Sequence, residues 1–368
     1  MYCQILYFME QYFNQKQCNI IRKTQILTTF SINPMNKIIA YAKLLRVPGI
    51  GGLATPPIIA ALTVGVNDLY SLFFLFVIGA FAGIYGFILN DYADVELDRL
   101  VKDLHGKPLV SGDISRKNAV AICVFLILLS FLFIFTLWRG KTIDEYKFAA
   151  AVSIFLAGIL GSIYDLYGKK IFGSDFLVAI SMGLVFLFGA FSFGKPTILT
   201  WIIFVLTFNQ TLHMNSVEGG IKDSDHDYIR GVNNIALRSG VKVKDDNILI
   251  PSKFKAFGMT IRLCSAFLLF SPFILFGYEY STYQIIILAL TTLGMIFFSI
   301  KLLSIKKFNR STIRKYIGLQ SFLRYSLVPI MLVSIIGISY SMVLIFLPIL
   351  WYMIFTPLVG EKLFKPRM

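Results

Sequence analysis

Residues 87–99 read FILNDYADVELDR, and in them carboxylates appear abruptly at the end of a long apolar run. In a helix, Asp91, Asp94 and Asp98 stand at i, i+3 and i+7 and share one face. Three acids on one stripe repel each other, so the pattern indicates a bound cation. Oxygen ligands suit a hard divalent metal, and Mg²⁺ held by one or two carboxylates normally binds substrate phosphate as well.

The composition is that of an integral membrane protein. The chain has 368 residues, of which 57% are hydrophobic and 15% charged, with a mean hydropathy of +0.72, unlike a soluble globular domain. Because a span needs roughly 20 apolar residues, the length allows about ten spans and no sizeable soluble domain. Apolar runs predict spans at about 44–66, 70–90, 116–138, 147–165, 175–194, 197–218, 256–277, 282–303, 315–336 and 339–358.

The net charge of +15 indicates orientation rather than a nucleic-acid partner. The basic residues lie in short loops between apolar runs and form no continuous patch. The long or basic connections are 99–117, 169–170, 222–255 and 301–315, and they alternate with connections poor in Lys and Arg. The positive-inside rule therefore places the basic set in the cytoplasm, and we expect a multi-pass protein of the cell membrane. Four widely spaced cysteines indicate neither a disulfide framework nor a zinc site.

Three regions are predicted along the chain. Residues 1–34 are Gln- and Asn-rich and lack a signal-peptide pattern, so they are either a poorly ordered extension or a start-site artefact before Met35. Residues 35–336 form the main membrane domain. Residues 337–368 add a further C-terminal transmembrane helix and a basic tail.

A second acidic cluster, EGGIKDSDHD at 218–227, follows the sixth predicted span. Asp223 and Asp227 stand at i and i+4 on one helix face, whereas Asp225 and His226 lie off that stripe. Glu218 can pair with Lys222 at the same spacing. Both acidic clusters end spans on the same side of the membrane, so we expect them to face each other across a central cavity and to bind a diphosphate through Mg²⁺.

Two further segments on that side carry candidate phosphate-binding groups. YDLYGKK at 164–170 follows the fourth span, and KPLVSG at 107–112 follows the second. Their lysines can neutralise phosphate oxygens that metal ions leave free.

Four motifs in this order resemble the UbiA superfamily of intramembrane prenyltransferases. Residues 90–98 match its N-D-x-x-D-x-x-x-D signature, and residues 107–112 resemble R-P-L-x-S-G with Lys for Arg. Tyr164 and Lys169 match Y-x-x-x-x-K, and residues 223–231 resemble D-x-x-x-D with a trailing glycine. The resemblance covers about residues 36–336. Departures are Gly220 in place of a further acid, Asn234 in place of Thr or Ser, and Gly51 and Gly52 in place of a polar side chain.

The resemblance implies an all-α membrane bundle of about nine helices around a central cavity, while the apolar runs suggest ten. It implies Mg-dependent transfer of an isoprenyl chain from its diphosphate to a lipophilic acceptor. Acceptors in such a family include a 4-hydroxybenzoate or naphthoate quinone precursor, a prenylated glycerol phosphate, haem and chlorophyllide. The metal ligands would be Asp91, Asp94, Asp98, Asp223 and Asp227. The groups that bind the diphosphate would be Asn90, Lys107, Tyr164 and Lys169.

Two other classes of protein carry similar patterns. Acids near spans also mark ion pathways in secondary transporters, although those proteins usually break helices near the bilayer midplane. A non-catalytic membrane protein that binds isoprenoid lipids is the second alternative. The position of the acids at helix ends beside basic loops favours the prenyltransferase.

Overall fold

The fold is given by a computed structural model that describes residues 34–361 and 363. Residues 1–33, where the sequence suggests an extension or a start-site artefact, lie outside the described residues. Most of the basic tail also does, including Lys362, Lys365 and Arg367.

The described chain is almost entirely helical. Its first half contains α1 (Pro34–Leu44), α2 (Val47–Leu53), α3 (Pro56–Thr63), α4 (Leu69–Asp98), α5 (Pro108–Ser111), α6 (Arg116–Leu137), α7 (Glu145–Tyr167) and α8 (Asp175–Phe191). The second half contains α9 (Ile198–Leu212), a π-helix (His213–Gly219), α10 (Gly220–Lys222), α11 (Ser224–Ile229), α12 (Ile235–Arg238), α13 (Ser252–Phe276), α14 (Thr282–Leu303) and α15 (Arg310–Leu358). A short antiparallel hairpin, β1 (Lys242–Lys244) and β2 (Asn247–Leu249), pairs Val243 with Ile248.

The first predicted span is broken into short helices. Pro48 lies in the first turn of α2 and Pro56 in that of α3, and a proline cannot continue the helix that precedes it. At the first break Arg46 takes a left-handed conformation, with φ 45° and ψ 47°. The break points the Arg46 side chain at α4, where it meets Asp91.

Helix α4 carries the first acidic motif at its end. It has 30 residues and begins where the Asp68 carboxylate accepts a hydrogen bond from the backbone N–H of Ser71. At about 1.5 Å per residue it is about 45 Å long, which exceeds a hydrocarbon core of about 30 Å. Its last turns, which hold the acids, can therefore lie at the edge of the apolar layer.

Neighbouring helices form a closed circuit around the centre. In order, α4 packs on α7, α7 on α8, α8 on α9, α9 on α13, α13 on α14, α14 on α15, α15 on α2, and α2 back on α4. Apolar cores lie between these pairs, one of them around Phe186, Leu206 and Leu269. The circuit leaves space for a cavity toward the ends that carry the acidic motifs.

Helix α15 is a hairpin of two helical arms. Gly337 interrupts it with φ 81° and ψ 164°, a conformation that residues with a side chain rarely adopt. The rings of Phe322 and Tyr352, equally far from Gly337 along the chain, lie 6.3 Å apart between centroids. In a straight helix they would be about 45 Å apart, so the chain reverses at Gly337.

The all-α membrane bundle is confirmed as a class, while the number of transmembrane helices stays a prediction. Within the described chain, seven helical segments are long and apolar enough to cross a membrane. The two predicted spans at 175–194 and 197–218 form the shorter helices α8 and α9, and the last two predicted spans are the arms of α15.

Candidate active site

One cavity of about 870 Å³ is lined by both acidic motifs. It opens at the ends of α4 and α7 and beside the π-helix. All nine residues that the sequence singles out lie on its wall: Asn90, Asp91, Asp94, Asp98, Lys107, Tyr164, Lys169, Asp223 and Asp227.

The acids of the first motif are buried on one face of α4. Asp91, Asp94 and Asp98 are 5%, 7% and 1% exposed, and all three face the cavity, as their spacing predicts. The neighbouring apolar residues Ile88 and Val95 pack instead in the core shared with α2 and α6.

Lysine and arginine side chains neutralise these acids. Lys107 Nζ lies 2.8 Å from Asp91 Oδ1 and 2.7 Å from Asp98 Oδ2. Arg46 Nη2 lies 2.9 Å from Asp91 Oδ1, and Lys169 Nζ lies 2.6 Å from Asp94 Oδ2. Burial disfavours the charged ammonium of Lys107, yet the carboxylates of Asp91 and Asp98 raise its pKa above the ordinary value. Cationic side chains therefore balance the negative charge of the first motif on this wall of the cavity.

The second motif forms the facing wall. Asp223 precedes α11, and its carbonyl accepts the Asp227 backbone N–H at 2.8 Å, which fixes the one-turn spacing that the sequence predicts. Asn234 Nδ2 donates to Asp227 Oδ2 at 2.8 Å, while Asn234 Oδ1 caps α12 by accepting the backbone N–H of Leu237 at 2.9 Å. Burial, and then the neighbouring Asp223, raise the pKa of Asp227 to about 7.

Arg230 is a residue of the cavity wall that the sequence motifs do not indicate. It lines the cavity, its Nη2 lies 2.7 Å from Asp98 Oδ1, and its Nη1 lies 4.0 Å from Asp227 Oδ1. The signal available in the sequence was its position three residues after Asp227, on the same helix face.

Tyr164 and Asn90 form hydrogen bonds on the cavity wall. The Tyr164 hydroxyl donates to Asn215 Oδ1 at 3.4 Å. The Asn90 amide hydrogen-bonds the carboxyl group of Asp165, which also lines the cavity. Asp165 and Asn215 are therefore further polar residues of the cavity wall, and each is hydrogen-bonded to a residue that the sequence singles out.

The sixth span ends in a π-helix that sequence periodicity did not predict. Its Glu218 is 1% exposed and is bound by Arg262 Nη2 at 2.8 Å and Arg324 Nη2 at 2.9 Å. This replaces the predicted pairing of Glu218 with Lys222, because arginines from α13 and α15 approach it across the core. Periodicity along one helix cannot show such partners.

The sequence predicts that His226 and Asp225 both lie off the acidic face, but in the structure only one of the two does. His226 lines the cavity, although its spacing in a regular helix places it off the acidic stripe. Arg310 Nη1 lies 2.9 Å from His226 Nε2, and Arg310 Nη2 lies 2.6 Å from Asp225 Oδ1. Asp225 is not on the cavity wall, as predicted.

The glycines that depart from the family pattern are explained by close packing. A Cβ atom on Gly51 would lie 2.6 Å from the Trp351 side chain, and one on Gly52 would overlap the Tyr325 ring. A Cβ atom on Gly220 would lie 2.6 Å from Ala236 Cβ. Both arms of α15 thus occupy the space beside α2 that a side chain would need.

Comparison with known proteins identifies the family. The profile of the UbiA prenyltransferase family matches residues 53–327. The chain belongs to the UbiA prenyltransferase family. Together with the long apolar helices, this membership makes it an integral, multi-pass membrane protein.

Among curated relatives, this UbiA family member is similar to bacterial enzymes. A 4-hydroxybenzoate octaprenyltransferase of Francisella tularensis subsp. mediasiatica (strain FSC147) is 29% identical over 163 residues, which are 43% of this chain and 52% of the relative. The enzyme of the same name from Polynucleobacter necessarius subsp. necessarius (strain STIR1) is 49% identical over 71 residues, 19% of this chain and 24% of the relative. The chain therefore spans about half, or less, of the curated relatives it matches.

Solved structures share its fold. A UbiA homologue from Archaeoglobus fulgidus bound to GPP and Mg²⁺ superposes with a TM-score of 0.58 at 18% identity, over 83% of this chain and 99% of that chain. The apo structure of a UbiA homologue from Aeropyrum pernix K1 gives a TM-score of 0.56 at 16% identity, over 80% and 98%.

The donor set of the cavity fits magnesium. The candidate ligands Asp91, Asp94, Asp98, Asp223 and Asp227 offer only carboxylate oxygens. Within residues 34–361, no three His, Cys, Asp or Glu side chains form a ready-made metal cage. Mg²⁺ usually takes one or two carboxylates together with substrate phosphates, so it does not require such a cage.

Proposed function

We propose that this protein transfers an isoprenyl chain from an isoprenyl diphosphate to a lipophilic acceptor, in a reaction that depends on Mg²⁺. The observation that carries the proposal is the convergence of both acidic motifs with the cationic side chains of Lys107, Lys169 and Arg230 on one cavity of about 870 Å³. The names of the curated relatives and of the GPP-bound homologue support it.

The five motif acids would hold the metal. When bound, Mg²⁺ neutralises the charge that develops on the departing diphosphate. Lys107, Lys169 and Arg230 line the same cavity, and their N–H groups would bind phosphate oxygens as charge-assisted hydrogen bonds. Asn90 would orient the diphosphate or bind it directly. These donors act on the leaving group, so they lower the barrier to cleavage of the carbon–oxygen bond.

The apolar part of the cavity would hold the isoprenyl chain. It is lined by Leu53 of α2, Phe87 of α4, and Ile317 and Tyr325 of α15. The closed circuit of helices keeps bulk water from this region, which protects an allylic cation from hydrolysis.

The acceptor is proposed to be a quinone precursor or a prenylated glycerol phosphate. Incubating the purified protein in detergent with labelled geranylgeranyl diphosphate and a panel of such acceptors, followed by mass spectrometry of the lipid product, distinguishes the two.

The protein is proposed to lie in the cell membrane with its cavity open on the cytoplasmic side. The loops at its mouth contain Lys102, Lys107, Lys169, Lys170 and Lys222, which the positive-inside rule places on the cytoplasmic side.

The proposal is tested by removing one carboxylate from each motif. Asp91→Asn and Asp227→Asn keep the side-chain shape but remove the charge that binds metal, so turnover should fall by about 100-fold or more. Asp225→Asn is the matched control, because Asp225 lies on the same short helix as Asp227 but not on the cavity wall. Near-normal prenyl transfer by Asp91→Asn would show that this cluster is not the diphosphate site.

A further inference from the structure

Asp175 is a buried carboxylate on the cavity wall that the proposed mechanism does not use. It is the first residue of α8 and is 6% exposed. Its Oδ2 atom is buried and has no hydrogen-bond partner among the described residues. A buried polar atom without a partner destabilises the fold, so an unpaired carboxylate oxygen on a cavity wall suggests a ligand.

The start of the helix accounts for only part of this carboxylate: the Asp175 backbone N–H hydrogen-bonds the carboxyl group, but Oδ2 has no partner among the described residues. Residue Ser174 occupies the N-cap position, and no side-chain capping hydrogen bond is made there. The Ser174 hydroxyl instead donates to the carbonyl of Gly168 at 2.8 Å. Asp144, by comparison, accepts the Lys147 backbone N–H at 2.8 Å and so caps α7 in the usual way.

The π-helix lies beside the start of α8. The rings of Phe176 and Phe208 are 6.1 Å apart, and Ala179 packs on Leu212, which immediately precedes the π-helix. Asn215 of the π-helix lines the same cavity as Asp175. Isolated π-helical turns are rare and occur frequently at functional sites, which is an independent indication of binding here.

The polar groups in this corner are mostly hydrogen-bond acceptors. Asn215 uses its Nδ2 to donate to the Thr211 carbonyl at 2.9 Å, so only its Oδ1 is directed elsewhere, toward the Tyr164 hydroxyl. Asp175 Oδ2 is a second acceptor. A diphosphate offers acceptors only and carries charge of the same sign, so it does not complement this corner. A hydroxyl or amino group does.

We infer that Asp175 and Asn215 form the subsite that binds a hydroxyl or amino group of the acceptor substrate. The inference rests on the proposed prenyl transfer and specifies its acceptor: the molecule must present a neutral hydrogen-bond donor at this end. The diphosphate would lie among Lys107, Lys169 and Arg230, which line the same cavity.

The test compares binding of the two substrates in a variant. Asp175→Asn keeps the size of the side chain, with Asp175→Ser as a second variant and Asp144→Asn as the control for a carboxylate at a helix start. The probes are labelled geranylgeranyl diphosphate with Mg²⁺, a panel of acceptors that each bear a hydroxyl or amino group, and the O-methyl or N,N-dimethyl derivative of whichever acceptor is prenylated.

Loss of a hydrogen bond to a charged group should raise the KM for the acceptor by about 10- to 100-fold in both Asp175 variants. The KM for the diphosphate and the Mg²⁺ concentration required for activity should stay within about twofold of the wild type. The methylated derivative should inhibit the variants and the wild type equally, because it has no N–H or O–H group to donate to Asp175. Asp144→Asn should behave as the wild type.

The inferred subsite would be refuted by an unchanged KM for the acceptor, by an equal change in the KM values of both substrates, or by an altered Mg²⁺ requirement. So would failure of every acceptor in the panel while the protein binds the diphosphate. Failure to bind the diphosphate with Mg²⁺ would instead refute the proposed function.

Discussion

Arg230 Nη2 lies 2.7 Å from Asp98 Oδ1, and this ion pair joins the two acidic motifs across the cavity. The arginine follows the second motif by three residues, whereas the aspartate ends the first. Both side chains are buried, at 7% and 1% exposure. The distance between the motifs is therefore held by a side chain that can also bind a phosphate oxygen.

Replacing Arg230 should impair binding of the diphosphate. In Arg230→Gln the charge is lost while some hydrogen bonding remains, so we expect the KM for geranylgeranyl diphosphate to rise by about 10- to 100-fold. Arg238→Gln is the control, because Arg238 is exposed at the end of α12, where its Nε donates to Asn233 Oδ1, and it does not line the cavity. Equal KM values in the two variants would exclude a role of Arg230 at the phosphate site.

Removal of divalent metal should stop both turnover and ligand-induced stabilisation. With a chelator, geranylgeranyl diphosphate should no longer raise the Tm of the purified protein, because a ligand stabilises only the state that binds it. Added Mg²⁺ should restore the shift and the activity together. Ca²⁺ should restore less, since it prefers longer bonds and more ligands than Mg²⁺. Full transfer in the presence of chelator would contradict the metal assignment.

The Mg²⁺ requirement should depend on pH through Asp227. Its pKa is raised to about 7, so the carboxyl is protonated below that pH and deprotonated above it. A proton competes with the metal, so the Mg²⁺ concentration for half-maximal activity should rise by up to about tenfold per unit as pH falls below 7. Above pH 8 it should be constant. Asp227→Asn should need more Mg²⁺ at every pH, and its Mg²⁺ requirement should no longer depend on pH. If the requirement of this variant still changed with pH, the titrating group would be a residue other than Asp227.

Packing of α2 against α15 should not tolerate a side chain at Gly52. In Gly52→Ala the added Cβ overlaps the Tyr325 ring, so we expect a loss of about 1–3 kcal/mol in stability. Gly318→Ala is the control within α15, because a Cβ there meets nothing within 4 Å. It should be neutral or stabilising by up to about 1 kcal/mol, since alanine favours a helix over glycine. Thermal unfolding in one detergent compares the two variants.

The second arm of α15 should return the chain to the side of the active site. Tyr340 OH donates to the Asn67 carbonyl at 2.7 Å near the start of α4, whereas Glu361 lines the cavity near the end of α4. Single cysteines at positions 361 and 103 should therefore be labelled from the same side, and one at position 195 from the other. A cysteine at 361 that reacts with the label from the side of residue 195 would exclude the tenth span.

Much of the site followed from local spacing. Asp91, Asp94 and Asp98 share a helix face because the helical repeat places i, i+3 and i+7 together, and Asp223 and Asp227 lie one turn apart for the same reason. Apolar runs long enough to cross a bilayer identified the helices, since membrane burial requires them whatever the neighbours are. These features depend on residues close together in the chain.

Only the tertiary structure decided which distant groups meet. Glu218 binds Arg262 and Arg324 rather than Lys222, because side chains from other helices reach it across the core. Periodicity did not predict the π-helix, whereas the reversal at Gly337 falls between the predicted spans 315–336 and 339–358. The sequence by itself determined the membrane class and the two acidic faces. The closed circuit of helices determined that these faces line one cavity, and with them Arg230, Asp165 and Asp175, because burial and long-range ion pairs depend on packing between helices far apart in the chain.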